Sequence, residues 1–589
     1  MRYLQRLVYV VVSISSAALA RDYHVAQRHP AASDENAGTA DAPFLTIAHA
    51  ASVVQAGDRV VIGSGVYRES VVIETNGTEA SPIRFEPAPA ARVVVTGADA
   101  LTEWQKEEGE GAIVSTAWPH RFVTWTKTNA HPSDDRHAMI GRCEQVFVNN
   151  YPLLQVLDRA KMSRGTFYVD IEAKRLYLWD RGNRDVAAKG RCLVEASSRS
   201  VLWQSKGAYV QVRGIRFRYA ANRAQQAAAS FRGKGSVIED CVFEKTNSIG
   251  ARFGGQDMVI RRCQFLDNGQ MGFGAGAAHR TLMTECEVRN NNTKGWNRNW
   301  EAGGNKLALC RGLVIEKSRF IGNRGNGIWF DIGNEKCVVR NCLIADNEQA
   351  GIFYEISYSL YAHDNVIIGN GFGARFGAWG ADGGISLSSS PNCVIERNLL
   401  IGNREGFQFR EQNRSTPLID GTKGVKVWNH DNTIRNNVIA YNQNLQVGGW
   451  FDVTDGRYWP KTSARRKPAA KGAAPKDDIA AKYKDRDGKT PAPKDLESLS
   501  LVLDGNLYAI AAPQGLFQWG CSWRDHAKFT DLAKVASELG LEQKGKVVPF
   551  IFADYLTRDF RVPADSPALK MGCYPKGEIP GVKLGTLGK

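Results

Sequence analysis

The chain has 589 residues, 43% of them hydrophobic, with a formal charge of +15 and 11 cysteines. The odd cysteine count excludes full internal disulfide pairing, and no segment after the first twenty residues is apolar and long enough to span a bilayer. Residues 457–495 hold 12 Lys/Arg against 5 Asp/Glu and so supply +7 of the charge, which leaves the remainder only mildly basic and points to no nucleic-acid partner.

The opening, MRYLQRLVYVVVSISSAALA, carries Arg2 and Arg6, an apolar run, and then Ala18-Leu19-Ala20. It predicts a secretory signal peptide over 1–20 and a secreted or periplasmic protein. Residues 21–100 predict a cap and first coils: a helix from about Thr46 to Gln55, then strands Arg59–Ile62 and Glu69–Ile73. An amphipathic helix there would cover the open end of a repeat array. Residues 101–199 lose the rhythm and predict an inserted β subdomain. Two hairpins are legible there, GTFYVDIEAKRLYLWD and CEQVFVNNYPLLQ, the second turning at Asn149-Asn150.

From 200 to 453 one phrase recurs. It reads VIEDCVF at Val237–Phe243, VIRRCQF at Val259–Phe265 and TLMTECEV at Thr281–Val288, then VIEKSRF at Val314–Phe320 and VVRNCLI at Val338–Ile344. LYAHDNVI, VIERNLL and TIRNNVI continue it to Ile439. Aligned, these place Cys241, Cys263, Cys286, Ser318, Cys342, Asn365, Asn398 and Asn437 in one column, at steps of 22, 23, 32, 24, 23, 33 and 39 residues. A basal step of 22–24 residues with alternating apolar positions predicts an all-β fold, a right-handed parallel β-helix. Like residues then stack, the small polar ones bonding along the stack. A second column, Asn268, Asn323, Asn347, Asn370, Asn403 and Asn442, predicts left-handed corners at Asn and Gly. The column cysteines are predicted to be free, buried thiols. The basic tract within 454–498 predicts a disordered insertion. The segment 499–589 predicts a last coil with Asn506 in the ladder, a helix near Thr530–Glu538, and a tail closing the C-terminal end.

The strand after the second corner reads GIWFD, GIFYE, GISLS, GFQFR and GGWFD. Period-two alternation turns Asp331, Glu355, Ser388, Arg410 and Asp452 outward, with Trp329, Phe353, Gln408 and Trp450 beside them. Asp331 and Glu355 then lie on adjacent rungs about 4.8 Å apart, which suits the pair of a retaining glycosidase better than the wider spacing of an inverting one. Three insertions, 291–306, 371–384 and 411–431, leave the coil on the same flank and predict cleft walls. Trp300 and Glu301 lie on the first, which makes Glu301 a third candidate catalytic carboxylate. Trp300, Trp329, Phe353, Arg410, Trp450, Asp452 and Lys306 are candidate substrate-binding residues. No metal-ligand spacing is present, so no cofactor is expected; structural calcium is possible but not indicated.

WEAGGNK, GNGIWFD and AGIFYEIS resemble the central coils of secreted β-helix glycoside hydrolases of the xylosidase, xylanase and fucosidase kind, within the pectate-lyase-like superfamily. That resemblance implies Asp331 as nucleophile and Glu355 as acid/base, and does not fix the sugar. The expected substrate is a plant or algal polysaccharide or oligosaccharide, and a monomer is expected. Two alternatives stand beside it. One is a polysaccharide lyase using Lys294, Lys306 or Arg410 as base, and the other is a non-catalytic carbohydrate-binding solenoid.

Overall fold

The computed structural model describes residues 20–109, 112–123, 141–188, 190–373, 380–412, 414–452, 456–466, 495–511, 514–550 and 552–588. The predicted signal peptide lies, apart from Ala20, outside them. Three sheets of 13 strands each run the length of the molecule, nearly all pairs parallel, in the order of the coils. The fold is a right-handed parallel β-helix. Successive phrases pair in register: Ile238 on Ile260, Ile260 on Met283, Met283 on Ile315. A one-residue slip would turn every apolar side chain outward, so burial fixes that register. Inside, Phe217, Phe243 and Phe265 stack with ring centroids 5.0 and 5.1 Å apart.

The asparagine column is a hydrogen-bonded ladder. Asn291 Oδ1 accepts both the backbone N–H and the side-chain amide of Asn268, at 3.1 and 3.0 Å. The pattern repeats from Asn291 to Asn323, Asn347, Asn370, Asn403 and Asn442, and ends on Gln446. Each Nδ2 also donates to a backbone carbonyl, as Asn347 does to Phe320 at 3.0 Å. The left-handed corner is not at these asparagines but one residue earlier, at Asp267, Asn290, Gly322, Asp346, Gly369, Gly402 and Tyr441. The glycines that follow serve a different need. A Cβ on Gly351 would lie 2.6 Å from the Gly384 carbonyl oxygen, so close approach of rungs excludes a side chain there. The first column ends in asparagines 365, 398, 437 and 506, and Glu542 caps it by accepting from Asn506 Nδ2 at 2.6 Å. All 11 cysteines are free, and all but Cys192 are buried.

A helix at Ile47–Val53 caps the N-terminal end, with Thr46 Oγ1 accepting the His49 N–H and Ile47, Ala50 and Ala51 buried. Between Ala98–Leu101 and Val194–Ser197 the chain forms two small, mainly antiparallel sheets of four and five strands around their own apolar cluster. The hairpins pair Thr166 with Trp179 and Val148 with Tyr151, and Asn149 and Asn150 both have positive φ. The range 454–498 is not wholly disordered. Trp459 is fully buried and donates its indole N–H to Asp525 Oδ2 at 3.0 Å, and Asp495 caps a turn of helix at Leu496–Leu499. The aromatic pair Tyr458-Trp459 has a core to enter, which the charge-dominated composition around it conceals. Residues 467–494 of that range lie outside the described residues. The helix Leu532–Leu539 closes the C-terminal end. The tail does not. It runs back over the outer face of the third sheet, where Phe560, Val562 and Tyr574 cover Leu343, Val366 and Leu399, and Arg558 reaches Asp346 at 2.9 Å. Those outward apolar residues need cover, and the tail supplies it.

Asn370→Ala would leave the Asn347 amide and the Ile344 carbonyl without their ladder partner. Unpaired buried groups of this kind cost about 1–3 kcal/mol. Thermal melting followed by circular dichroism is expected to show a lower transition temperature, while exposed Glu79→Ala leaves it unchanged.

Candidate functional site

The second sheet carries the site. Ile328, Trp329 and Phe330 pair with Ile352, Phe353 and Tyr354, so Asp331 and Glu355 follow on adjacent rungs. Both are nearly buried, at 7% and 8% exposure. Trp329 and Phe353 pack alongside, their ring centroids 6.0 Å apart and their planes tilted by 33°. Tyr354 points inward, where its hydroxyl donates to the Tyr358 carbonyl.

Each carboxylate has a cation. Lys306, one rung below, contacts Asp331 Oδ2 at 2.9 Å and Glu301 Oε1 at 3.2 Å, and its Nζ sits 4.7 Å from the Trp329 ring centroid. Burial disfavours its ammonium, but Asp331 and Glu301 outweigh that and hold Lys306 above its ordinary value. Glu355 Oε1 accepts from Arg414 Nη1 at 2.8 Å. Burial and then the Glu355 charge push the Asp331 carboxyl up, against the opposing pull of Lys306 and Arg414.

Arg414 is a site residue that the periodic pattern could not reveal. It lies in the third insertion, on the hairpin Arg414–Thr416/Val425–Val427. That insertion folds down over lower coils, where Val427 packs on Ile356 and Tyr358, and the Pro417 carbonyl sits where a Cβ on Gly333 would be, at 2.3 Å. The reach from a higher coil to Glu355 follows. Asn299, Asn326 and Gln349 escape the sequence pattern as well. With Trp329, Phe353, Glu355, Ala381 and Arg410 they line a cavity of about 380 Å³. Gln349 Nε2 donates to Asn299 Oδ1 at 3.1 Å and ties the first wall to the coil. Burial lowers the Arg410 guanidinium, and Glu355 offsets part of that.

Other candidates lie elsewhere. Trp300 packs on Trp296 at 5.4 Å and is not among the cavity-lining residues. Asp452 does not share the column, because Arg410 pairs with Trp450 and Gln408 with Gly448, two residues off the expected register. The reason is in the core: Gly449 lies against the Trp519 ring, 2.4 Å from where its Cβ would be, so the aromatic residue of that layer comes from the next coil. Asp452 is exposed beyond the strand end. Trp450 packs on His526 at 4.3 Å and donates to Gln408. Lys294 is away from the cavity, bonded to Asn247 Oδ1 at 2.6 Å.

Several buried atoms around the carboxylates meet no hydrogen-bond partner among the described residues: Asp331 Oδ1, Trp329 Nε1, Gln349 Oε1, Ser388 Oγ and Gln408 Nε2. Native interiors rarely leave such atoms unpaired, and a cluster of them fits a ligand rich in hydroxyls.

A family model described as right handed beta helix region matches residues 185–308 and 227–382. The chain is a right-handed parallel β-helix protein. A second model, periplasmic copper-binding protein (NosD), matches this β-helix over 309–456. The donor set does not fit copper: among the described residues no three His, Cys, Asp or Glu side chains gather as for a metal ion, and Cys310, Cys337, Cys342 and Cys393 are buried in the interior. The uncharacterized protein YwoF of Bacillus subtilis (strain 168) is 40% identical over 68 residues, which are 12% of this chain and only 14% of that relative. The structure of XylC in complex with xylose overlays with TM-score 0.59 at 18% identity, covering 84% of this β-helix and 85% of that chain. A glycoside hydrolase structure overlays with TM-score 0.50 at 14% identity, covering 66% and 94%.

The electrostatic coupling is open to test. Carboxyl titration by NMR is expected to show Asp331 above the ordinary 3.8. Glu355→Gln removes a negative neighbour and moves it down. Lys306→Met removes a positive one and moves it up.

Proposed function

We propose that this β-helix protein is an exported carbohydrate-active enzyme, a retaining glycoside hydrolase whose working groups are Asp331 and Glu355. The observation that carries the reading is the pair of buried carboxylates on adjacent rungs, each held by its own cation beside the Trp329–Phe353 face. Rung spacing near 4.8 Å suits direct attack on the sugar with no intervening water. The xylose in the XylC complex and the hydrolase name of the second neighbour agree with a glycosidic substrate. The predicted leader and the periplasmic family model agree with export.

Asp331, whose anion the Lys306 contact favours against burial and the Glu355 charge, attacks the anomeric carbon while Glu355 gives its proton to the departing glycosidic oxygen. The bond to that oxygen breaks as the bond to Asp331 forms. In the second half Glu355 takes a proton from water, whose oxygen displaces Asp331 and restores the anomeric configuration. Arg414 steadies the Glu355 carboxylate between the two halves. Trp329 and Phe353 offer apolar faces to the sugar ring. Glu301 acts through Lys306, which it shares with Asp331. For the lyase alternative Lys306 is a poor base, because its two carboxylates hold its proton.

Product analysis on neutral and uronic polysaccharides tests this. New reducing ends without unsaturated termini are expected, with retained configuration at the anomeric carbon. Asp331→Asn and Glu355→Gln each lower kcat by about 10²–10⁴. Unsaturated products that persist in both variants would overturn the assignment. The acid limb of kcat/KM should lie above the ordinary aspartate value, since the Asp331 anion is lost as pH falls through a raised pKa. Lys306→Met shifts that limb to higher pH.

A further inference from the structure

A second cavity, of about 300 Å³, opens at the seam between the inserted sheets and the first wall. Val146, Phe147, Leu153, Leu154 and Phe167 form its apolar sides, and Lys294 reaches into it from the solenoid. The Lys294 ammonium donates to two neutral oxygens, the Arg142 carbonyl and Asn247 Oδ1, and no carboxylate forms an ion pair with it among the described residues. Glu144, whose charge acts on Lys294, is already taken. Arg142 binds it through two nitrogens, at 2.6 and 3.0 Å, and Gln155 donates to it at 3.3 Å. Arg142, Glu144 and Lys294 together therefore carry one uncompensated positive charge. Gln155 Oε1, buried in the same lining, has no hydrogen-bond partner among the described residues. A half-buried cation with no counter-charge among the described residues is unfavourable, and desolvation pulls the Lys294 ammonium down to about 8. Pockets at such seams between structural units are common ligand sites.

We infer that this seam is a second binding site, separate from the cavity lined by Glu355, for a carboxylate carried on a single six-membered ring. The carboxylate takes the vacant charge position at Lys294 and a ring substituent donates to Gln155 Oε1. The ring lies against the apolar sides, near Phe147, which is itself stacked on Tyr219 at 3.6 Å. Two sources share that chemistry: a uronosyl unit of an acidic polysaccharide, or an aromatic acid. The site does not depend on the hydrolase reading, because it shares no lining residue with the cavity at Glu355.

Isothermal titration of the full chain with glucuronate and with benzoate, each beside its uncharged methyl ester, tests the site. One acid or both should saturate one site per chain, with the ester at least about tenfold weaker, as loss of a buried charge partner implies. Whichever acid binds identifies the source. Lys294→Met should weaken the acid by a similar factor, and Asp331→Asn should leave it unchanged. Equal binding of acid and ester, no binding of either acid up to about 10 mM, or binding lost in Asp331→Asn but kept in Lys294→Met overturns the inference. The ester comparison uses the unaltered chain, so it decides even where Lys294→Met fails to fold.

Discussion

The constraint on which the molecule depends is the amide ladder at its corner. One asparagine per coil accepts twice from the residue below and donates to a backbone carbonyl, so each rung is positioned by its neighbours. Apolar burial alone sets which residues face inward but tolerates a shift of two along a strand, which keeps parity. The ladder removes that freedom at its own corner. It ends where the sequence stops supplying asparagine: on Gln446 in one column and on Glu542 in the other. Both ends meet a residue able to accept two hydrogen bonds.

The site inherits its geometry from that stack. Asp331 and Glu355 need no loop to place them, because the pairing of Trp329 with Phe353 and Phe330 with Tyr354 leads directly to them. What loops add is charge and enclosure. Arg414 arrives from the third insertion, Asn299 from the first and Ala381 from the second. The scaffold fixes the reacting pair and the insertions select what reaches it, a division that lets one fold host many chemistries.

The rungs are legible in the sequence because spacing, alternation and column identity all agree over eight phrases. Legibility fails where one of those signals is ambiguous. Gly448 and Gly449 imitate the glycine that opens the other site strands, so the phrase aligns two residues off and draws Asp452 into a column that Trp450 occupies. The contact that settles this, Trp519 on Gly449, comes from the following coil. Arg414 is illegible for another reason. Its position depends on how a long insertion folds back onto Ile356 and Tyr358, and no period carries that information. Trp300 sits beside a real site residue in sequence, yet its ring goes to Trp296.

A parallel solenoid generates polar columns wherever a residue repeats, so structural and functional columns must be told apart. Satisfaction of hydrogen bonds does this. In the asparagine columns donors and acceptors are matched, and such groups stabilise without inviting a ligand. Around Asp331 and Glu355 the same interior leaves Asp331 Oδ1, Trp329 Nε1, Gln349 Oε1 and Ser388 Oγ unmatched among the described residues while holding two like charges on neighbouring rungs. An arrangement of that kind costs stability and is retained only where something offsets it, which is why strained ionisation clusters at working sites. Lys294 meets the same criterion at the seam, where among the described residues it has no paired anion and the Gln155 amide oxygen beside it has no donor. Cys310, Cys337 and Cys342 do not, since each thiol donates to a backbone carbonyl within its own stack.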